Sequence, residues 1–340
     1  MFDQLIGNQA VKDAVRRYIS NRRVPNSMLF AGPDGVGKKQ FALELARSIV
    51  CIEAANGEAC GKCVACGRVS EFKFPGADAK GEDYDRVFFS SHSDVGIVVP
   101  FNRTLRVGSI RALESEANFR PYEAAARIFI IDDAHRMNAA SSNALLKTLE
   151  EPPATSHIFL ITSKPNALLP TIRSRVQTLR FGPVNVDELE HLLLTTHEYS
   201  QADARLIAAS ANGRVALALS VDAAEFRARR NDAIEILHSA IMNHDVVQAL
   251  KESEKLGGIK STPEFEAFLD VLQSTIHTVW TAQIGRDNVT DEEIRKLADN
   301  ADPERLAKWL TQIEEIRGSL AVNINKKIAA DALLVRMAAR

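Results

Sequence analysis

The sequence predicts an α/β P-loop domain followed by helical domains, on three observations. Short apolar runs of β-type residues alternate with helical periodicity as far as about residue 181. The first of these runs empties into Gly32-Pro33-Asp34-Gly35-Val36-Gly37-Lys38, a glycine turn of phosphate-loop form. After Phe181-Gly182-Pro183 the β-type runs stop and only helical patterns follow.

Ser27 to Ala31 reads as a buried strand, and Gln40 to Val50 as a helix with Phe41, Leu45, Ala46 and Ile49 on one face. Residues 72–85, with Pro75, Gly76 and Gly81, read as a loop. Arg127 to Ile131 is a second buried strand ending at Asp132-Asp133, and His157 to Ile161 a third ending at Thr162-Ser163. Between them Asn143 to Glu151 is a helix stopped by Pro152-Pro153. Alternation of this kind implies a parallel sheet covered on both faces, with ligands at the carboxyl ends of its strands. Asp187 to Leu219 reads as short helices broken near Ser200 and Gly213. Ser261-Thr262-Pro263-Glu264 and Asp302-Pro303 have the cap and early proline of helix starts. The stripes Phe265, Phe268, Leu269, Leu272, Ile276, Val279 and Leu306, Trp309, Leu310, Ile313, Ile316 are the apolar faces of a helical bundle.

In the phosphate loop the glycines let backbone N–H groups curl round an anion. The following helix adds its positive end, and Lys38 reaches the terminal phosphates. The next residue of a hydrolytic loop is Ser or Thr, whose hydroxyl ligates magnesium; here it is Lys39, which has no lone pair to give and repels the ion. Asp132 stands where an ATPase holds magnesium, and Asp133 replaces the glutamate that would orient the attacking water. A misplacement of about 1 Å can cost roughly a hundredfold in rate. The chain is therefore expected to be no ATPase, or a weak one, by itself. The residues leave two states of the loop open: filled by ATP or ADP, or inherited and empty.

All four cysteines fall between Cys51 and Cys66, as C-x8-C-x2-C-x2-C through Cys60 and Cys63. Four thiolates at knuckle spacing suit tetrahedral structural zinc, pinning an inserted hairpin to the end of the P-loop helix. Four unrelated thiols, or a redox pair, are the alternatives.

The 340 residues suffice for two or three domains, and 46% hydrophobic with 25% charged residues is an ordinary globular balance. With 42 basic against 44 acidic residues, net charge -2 excludes a chain coated in nucleic acid along its length, though not one local basic strip. No apolar run is long enough to cross a bilayer, and Met1-Phe2-Asp3-Gln4-Leu5 opens no secretion signal, so a cytoplasmic protein is expected. No set of acidic residues is placed for two-metal nucleotidyl transfer.

Taken together, these residues resemble bacterial clamp-loader subunits of the AAA+ class. The resemblance is carried by Phe2-Asp3-Gln4-Leu5-Ile6-Gly7-Asn8, the cysteine spacing, Asn143 to Pro153 (Asn-Ala-Leu-Leu-Lys-Thr-Leu-Glu-Glu-Pro-Pro), and Thr171-Ile172-Arg173-Ser174-Arg175, with Val176 in place of a cysteine. It is dense from residue 1 to about 181 and rests mostly on helical pattern beyond 223. The resemblance implies a RecA-like AAA+ domain over 1–181 with a zinc module at 51–66. A small helical lid over 182–222 and an all-α oligomerising collar over 223–340 follow.

It further implies that Arg175, helped by Ser174, is an arginine finger offered in trans to a neighbouring subunit's ATP, with Arg173 as its competitor. The nucleotide-contacting positions would be Gly32, Gly35, Gly37, Lys38 and Asp132, with Thr162 and Arg214 at the two sensor positions. Lys39 and Asp133 point to a non-motor scaffold subunit. The implied partners are gamma/tau and delta subunits in a hetero-pentameric ring, the sliding clamp and primer–template DNA, with no membrane. The alternatives are an active gamma/tau-type motor and a protein-remodelling AAA+ ATPase.

Overall fold

The computed structural model describes residues 2–55, 58–196, 199–243, 247–248, 250–251, 254, 262–285, 291–320 and 325–339. Two compact units are present: Met1–Leu192 with Gly213–Leu217, and Leu193–Asn212 with Ala218–Arg340.

The first unit is built on a six-stranded sheet. Its strands are β1 (Ser27–Ala31), β2 (Phe88–Phe89), β3 (Val95–Val98), β4 (Arg127–Ile131), β5 (Ser156–Thr162) and β6 (Gln177–Arg180). They lie in the order β2-β3-β4-β5-β1-β6. All neighbouring pairs are parallel except β2 with β3. Every residue of β1 and β4 is buried, and after their polar first residues, Ser27 and Arg127, residues 28–31 and 128–131 read as unbroken apolar runs.

Alternation along the strands divides the core. Met28, Phe30, Ile130 and Phe159 face one way, onto helices α1 (Gln9–Ser20) and α2 (Lys38–Val50). Leu29, Phe129, Ile131 and Leu160 face the other. There they meet Ile110 and Leu113 of α4 (Val107–Ala117) and Leu145 and Leu149 of α5 (Ala139–Glu150). Between α2 and α4 lies the one-turn helix α3 (Val64–Arg68).

Sequence reading places β1 and β4 to the residue and β5 within one residue at each end. It does not find β2, β3, β6, α1 or α4, whose signals are short or interrupted. Residues 72–85 hold no strand or α-helix, as expected for a loop, yet they are anchored. Phe74 and Tyr84 pack their rings on Phe88 with centroids 5.3 and 5.6 Å away, and Gly81–Tyr84 forms a 3-10 turn. Helix α6 (Pro170–Arg173) leads into β6, and α7 (Val186–Thr196) follows the sheet.

Among the described residues the second unit is helical throughout. It contains α8 (Gln201–Ser210), α10 (Ala223–His238) running into a π-helical turn at Ser239–Asn243, α11 (Thr262–Gln283), α12 (Glu292–Asn300), α13 (Pro303–Leu320) and α14 (Lys326–Ala338). The short α9 (Val215–Ser220) begins in the first unit.

Asp222, Asp291 and Asn325 cap their helices by accepting backbone N–H bonds. Phe265, Phe268, Leu269, Leu272, Ile276 and Val279 are buried, as their spacing predicts. Of the cap expected at 261–264, Ser261 lies outside the described residues. No helix among the described residues is long and apolar enough to cross a membrane.

Candidate functional site

The phosphate loop leaves the carboxyl end of β1, and its first N–H, from Gly32, donates to the Thr162 carbonyl at the end of β5 at 3.2 Å. Gly32 has no space for a side chain: a Cβ there would lie 2.4 Å from the Phe181 carbonyl oxygen. Gly35 takes φ +75°, and its carbonyl accepts from the Ala216 N–H at 2.9 Å. The backbone of Arg214 therefore runs beside the loop, its Cα 3.7 Å from where a Gly35 side chain would begin. Asn8, whose side chain exchanges bonds with the Gly182 N–H (2.8 Å) and carbonyl (3.3 Å), fixes the N-terminal segment beside Phe181.

Lys38 is 6% exposed, and burial pushes its pKa down. Its Nζ donates to the carbonyls of Gly32 at 2.7 Å and Pro33 at 2.5 Å, and the nearest carboxylate oxygen, on Asp34, stands at 3.9 Å. Lys39 turns the other way: its Nζ donates to Asp132 Oδ2 at 3.0 Å. The lysine that replaces the metal-ligating hydroxyl thus meets the carboxylate that would face the ion, while the second departure, Asp133, pairs elsewhere.

Asp132 Oδ1 accepts the Asp133 N–H at 3.2 Å. Asp133, in the left-handed region at φ 48°, pairs with Arg136 Nε at 3.0 Å. Burial raises the Asp133 pKa, against the pull of Arg136. Its carboxylate is held by arginine, a second obstacle to orienting water beside its short side chain. Thr162 is fully buried; its Oγ1 accepts the Lys164 N–H at 3.0 Å and lies 3.3 Å from His135 Nδ1. Burial lowers the His135 pKa.

Magnesium does not fit these residues. Two unit charges about 4 Å apart at an effective dielectric near 20 interact by about 4 kcal/mol, hence roughly 8 kcal/mol of repulsion for a divalent ion. The ion would have to displace the Lys39 ammonium from Asp132, and no hydroxyl stands at position 39 to complete its ligands.

Arg175 lies elsewhere. It precedes β6, whose first residue Gln177 pairs with Met28 near the start of β1, while Arg180 pairs with Ala31 next to the phosphate loop. At about 3.3 Å per strand residue, the length of β1 separates Arg175 from its own P-loop by more than ~13 Å. The guanidinium donates to the Thr171 carbonyl at 2.9 Å and to Ser174 Oγ at 3.4 Å, and pairs with Glu150 at 2.7 Å. Ser174 Oγ donates to the Thr171 carbonyl at 3.1 Å. Arg173 instead bonds Asn166 Oδ1 at 3.3 Å. Glu150, 25 positions away, is invisible as a partner in the sequence. Arg136 could have been found from its i,i+3 spacing to Asp133.

The four cysteines converge: their sulfurs lie within 4.8 Å of one another, a donor set that suits a soft four-coordinate ion. Within the Cys51–Cys60 spacing Ala55 and Glu58 exchange N–H bonds at 3.0 and 2.9 Å as one antiparallel bridge, the hairpin reduced to a single pair, and α3 carries Cys66; Asn56 and Gly57 lie outside the described residues. N–H donation from Cys66 draws the Cys63 thiol down to about 6, whereas burial pushes Cys51 and Cys66 up. Arg47, on α2, clamps the segment by donating to the Cys66 carbonyl at 3.1 Å and Ser70 Oγ at 2.8 Å. Arg16 of α1 donates to Glu58 at 2.7 Å.

The profile of the family DNA polymerase III, delta subunit, matches residues 7–185. DNA polymerase III subunit delta' of Bacillus subtilis is 29% identical over 315 residues, spanning 90% of this chain and 89% of that protein. DNA polymerase III subunit gamma/tau of Mycobacterium tuberculosis is 32% identical over 180 residues, 53% of this chain and 28% of that protein. A solved gamma subunit-related protein of Thermotoga maritima is 19% identical with a TM-score of 0.46, covering 96% of this chain and 97% of that one.

Proposed function

Since the chain belongs to the DNA polymerase III delta-subunit family, we propose that it is the delta-prime-type subunit of a bacterial clamp loader. In this role it is a scaffold in the ring that loads the sliding clamp onto primed DNA, with gamma/tau and delta subunits as neighbours. It acts in the cytoplasm as part of a polymerase holoenzyme and contributes no polymerase chemistry. Residues 1–181 form its AAA+ base, 182–222 its lid and 223–340 its collar. Cys51, Cys60, Cys63 and Cys66 hold a structural zinc.

The observation that carries the non-motor reading is the Lys39–Asp132 pair, which fills the place of the ATPase metal with an ammonium of the chain itself. The position of Arg175 supports the finger role. It cannot serve its own phosphate loop, so any triphosphate it meets belongs to another subunit. There a guanidinium would donate hydrogen bonds to the charge spreading over the γ-phosphate. Ser174 fixes the loop on which Arg175 stands. Thr162 and Arg214 keep sensor-like places at a pocket without the metal chemistry to use them.

The test is Arg175→Ala in the reconstituted complex. Assembly is expected to persist while DNA-stimulated turnover at the adjoining ATP site falls by about 10³-fold or more. Unchanged turnover with intact assembly would reject the finger.

A further inference from the structure

The phosphate loop carries two cations of unequal status. Lys38 is a buried ammonium whose bonds within the loop go only to neutral carbonyls, with Asp34 no nearer than 3.9 Å on the exposed rim. Lys39 is 42% exposed and paired to Asp132 at 3.0 Å. We infer that this pocket takes the phosphates of a nucleotide without a divalent cation, the Lys39 ammonium serving as the built-in counter-ion. This goes beyond the scaffold role and does not depend on Arg175.

Several contacts lead to this inference. Lys38 Nζ sits in the loop as an under-compensated positive charge, so an incoming phosphate replaces carbonyl oxygens with a full anion. The left-handed Gly35 and Gly37, at φ +75° and +94°, shape the loop that leads its N–H groups into α2. Lys39 is the second residue of the same helix, and its Nζ, held on Asp132 at 3.0 Å, keeps a positive charge beside the loop where a metal would otherwise stand.

A divalent ion finds no comparable place. Asp132 is engaged by Lys39 and by the Asp133 N–H, and Asp133 by Arg136. The hydroxyl that would complete a metal's ligands is absent at position 39. A nucleotide held this way is bound without the means of being hydrolysed.

Calorimetric titration of the full chain with ADP and with ATP, in EDTA and in magnesium, tests the inference. The native chain is expected to bind with dissociation constants within about threefold of each other in the two buffers. Lys39→Thr restores the metal-ligating hydroxyl and should make binding at least tenfold weaker in EDTA than in magnesium. Circular dichroism melts of both proteins establish that the variant is folded. The inference is overturned if the native chain binds neither nucleotide, if it needs magnesium by tenfold or more, or if folded Lys39→Thr is as indifferent to magnesium as the native chain. None of these results bears on turnover in the Arg175→Ala complex, so the two readings fail separately.

Discussion

The two ends of the sheet are built to different standards. At the carboxyl end, where a hydrolytic relative would do its chemistry, partly exposed charges neutralise one another: Lys39 with Asp132, and Asp133 with Arg136. At the amino end the ties are deeper. The cysteine segment is clamped to α2 by Arg47. Asp94 and Arg127, both fully buried, face each other at 3.7 Å. Asp94 also accepts the N–H groups of Tyr122, Glu123 and Ala124 at 2.8 to 2.9 Å. Arg127 lies over the rings of Phe89, Tyr122 and Phe129, with centroid distances of 5.2 to 5.4 Å. Arg175 stands beyond this end, as the proposed point of delivery to a neighbour. The contrast teaches that the pocket can lose its catalytic fittings at small cost, while the opposite end must hold its geometry.

The largest effect is expected at the cysteines. Elemental analysis should find one zinc per native chain and none in Cys60→Ser with Cys63→Ser, and proteolysis should then cut residues 58–71 first. Apparent zinc contributions of about 10–16 kcal/mol in small zinc-folded peptides set the scale. A native chain free of metal would remove this pillar of the contrast.

Next comes Asp94→Ala, which removes one of the two carboxylates beside the buried Arg127 guanidinium, Glu116 remaining at 3.0 Å, and strands three N–H donors. Urea titration should show a loss of about 3–5 kcal/mol; a loss under about 1 kcal/mol, as for a surface pair, would erase the difference between the two ends. Lys39→Met, at the other end, should cost no more than about 1 kcal/mol in the same titration. A loss matching that of Asp94→Ala would reverse the comparison.

The smallest effect is a pH dependence. Burial lowers the pKa of His92, His135 and His157. The fold therefore holds neutral imidazoles, while the unfolded chain begins to take up protons near pH ~6.5. The stability this contributes is whole above that pH and declines as pH falls toward the lower folded-state values. His157→Gln should make the decline between about pH 7.5 and 5.5 shallower. An unchanged slope would place the acid sensitivity elsewhere.

Local chemistry explains what could be read in advance. Strands β1, β4 and β5 announce themselves because each is a run of apolar residues buried on both faces, and the phosphate loop because its glycines and lysine are contiguous. The strand Val95–Val98 is four residues long and contains Gly96, too little signal to separate from a loop. Asp94 and Arg127, an ordinary surface type in any composition, gave no hint that they would be buried together.

By itself the sequence determined an α/β P-loop chain with a helical second half, a thiol set spaced for one ion, and a phosphate loop with a lysine where a hydroxyl belongs. These depend on neighbours within a few turns or strand lengths. Only the tertiary structure decided that Lys39 would meet Asp132, 93 positions away, and that Asp133 would be spent on Arg136. It also decided that Arg175 would be held by Glu150 at the end of the sheet remote from its own loop. Such pairings follow from strand order and register, which bring distant residues together through packing that no local pattern encodes.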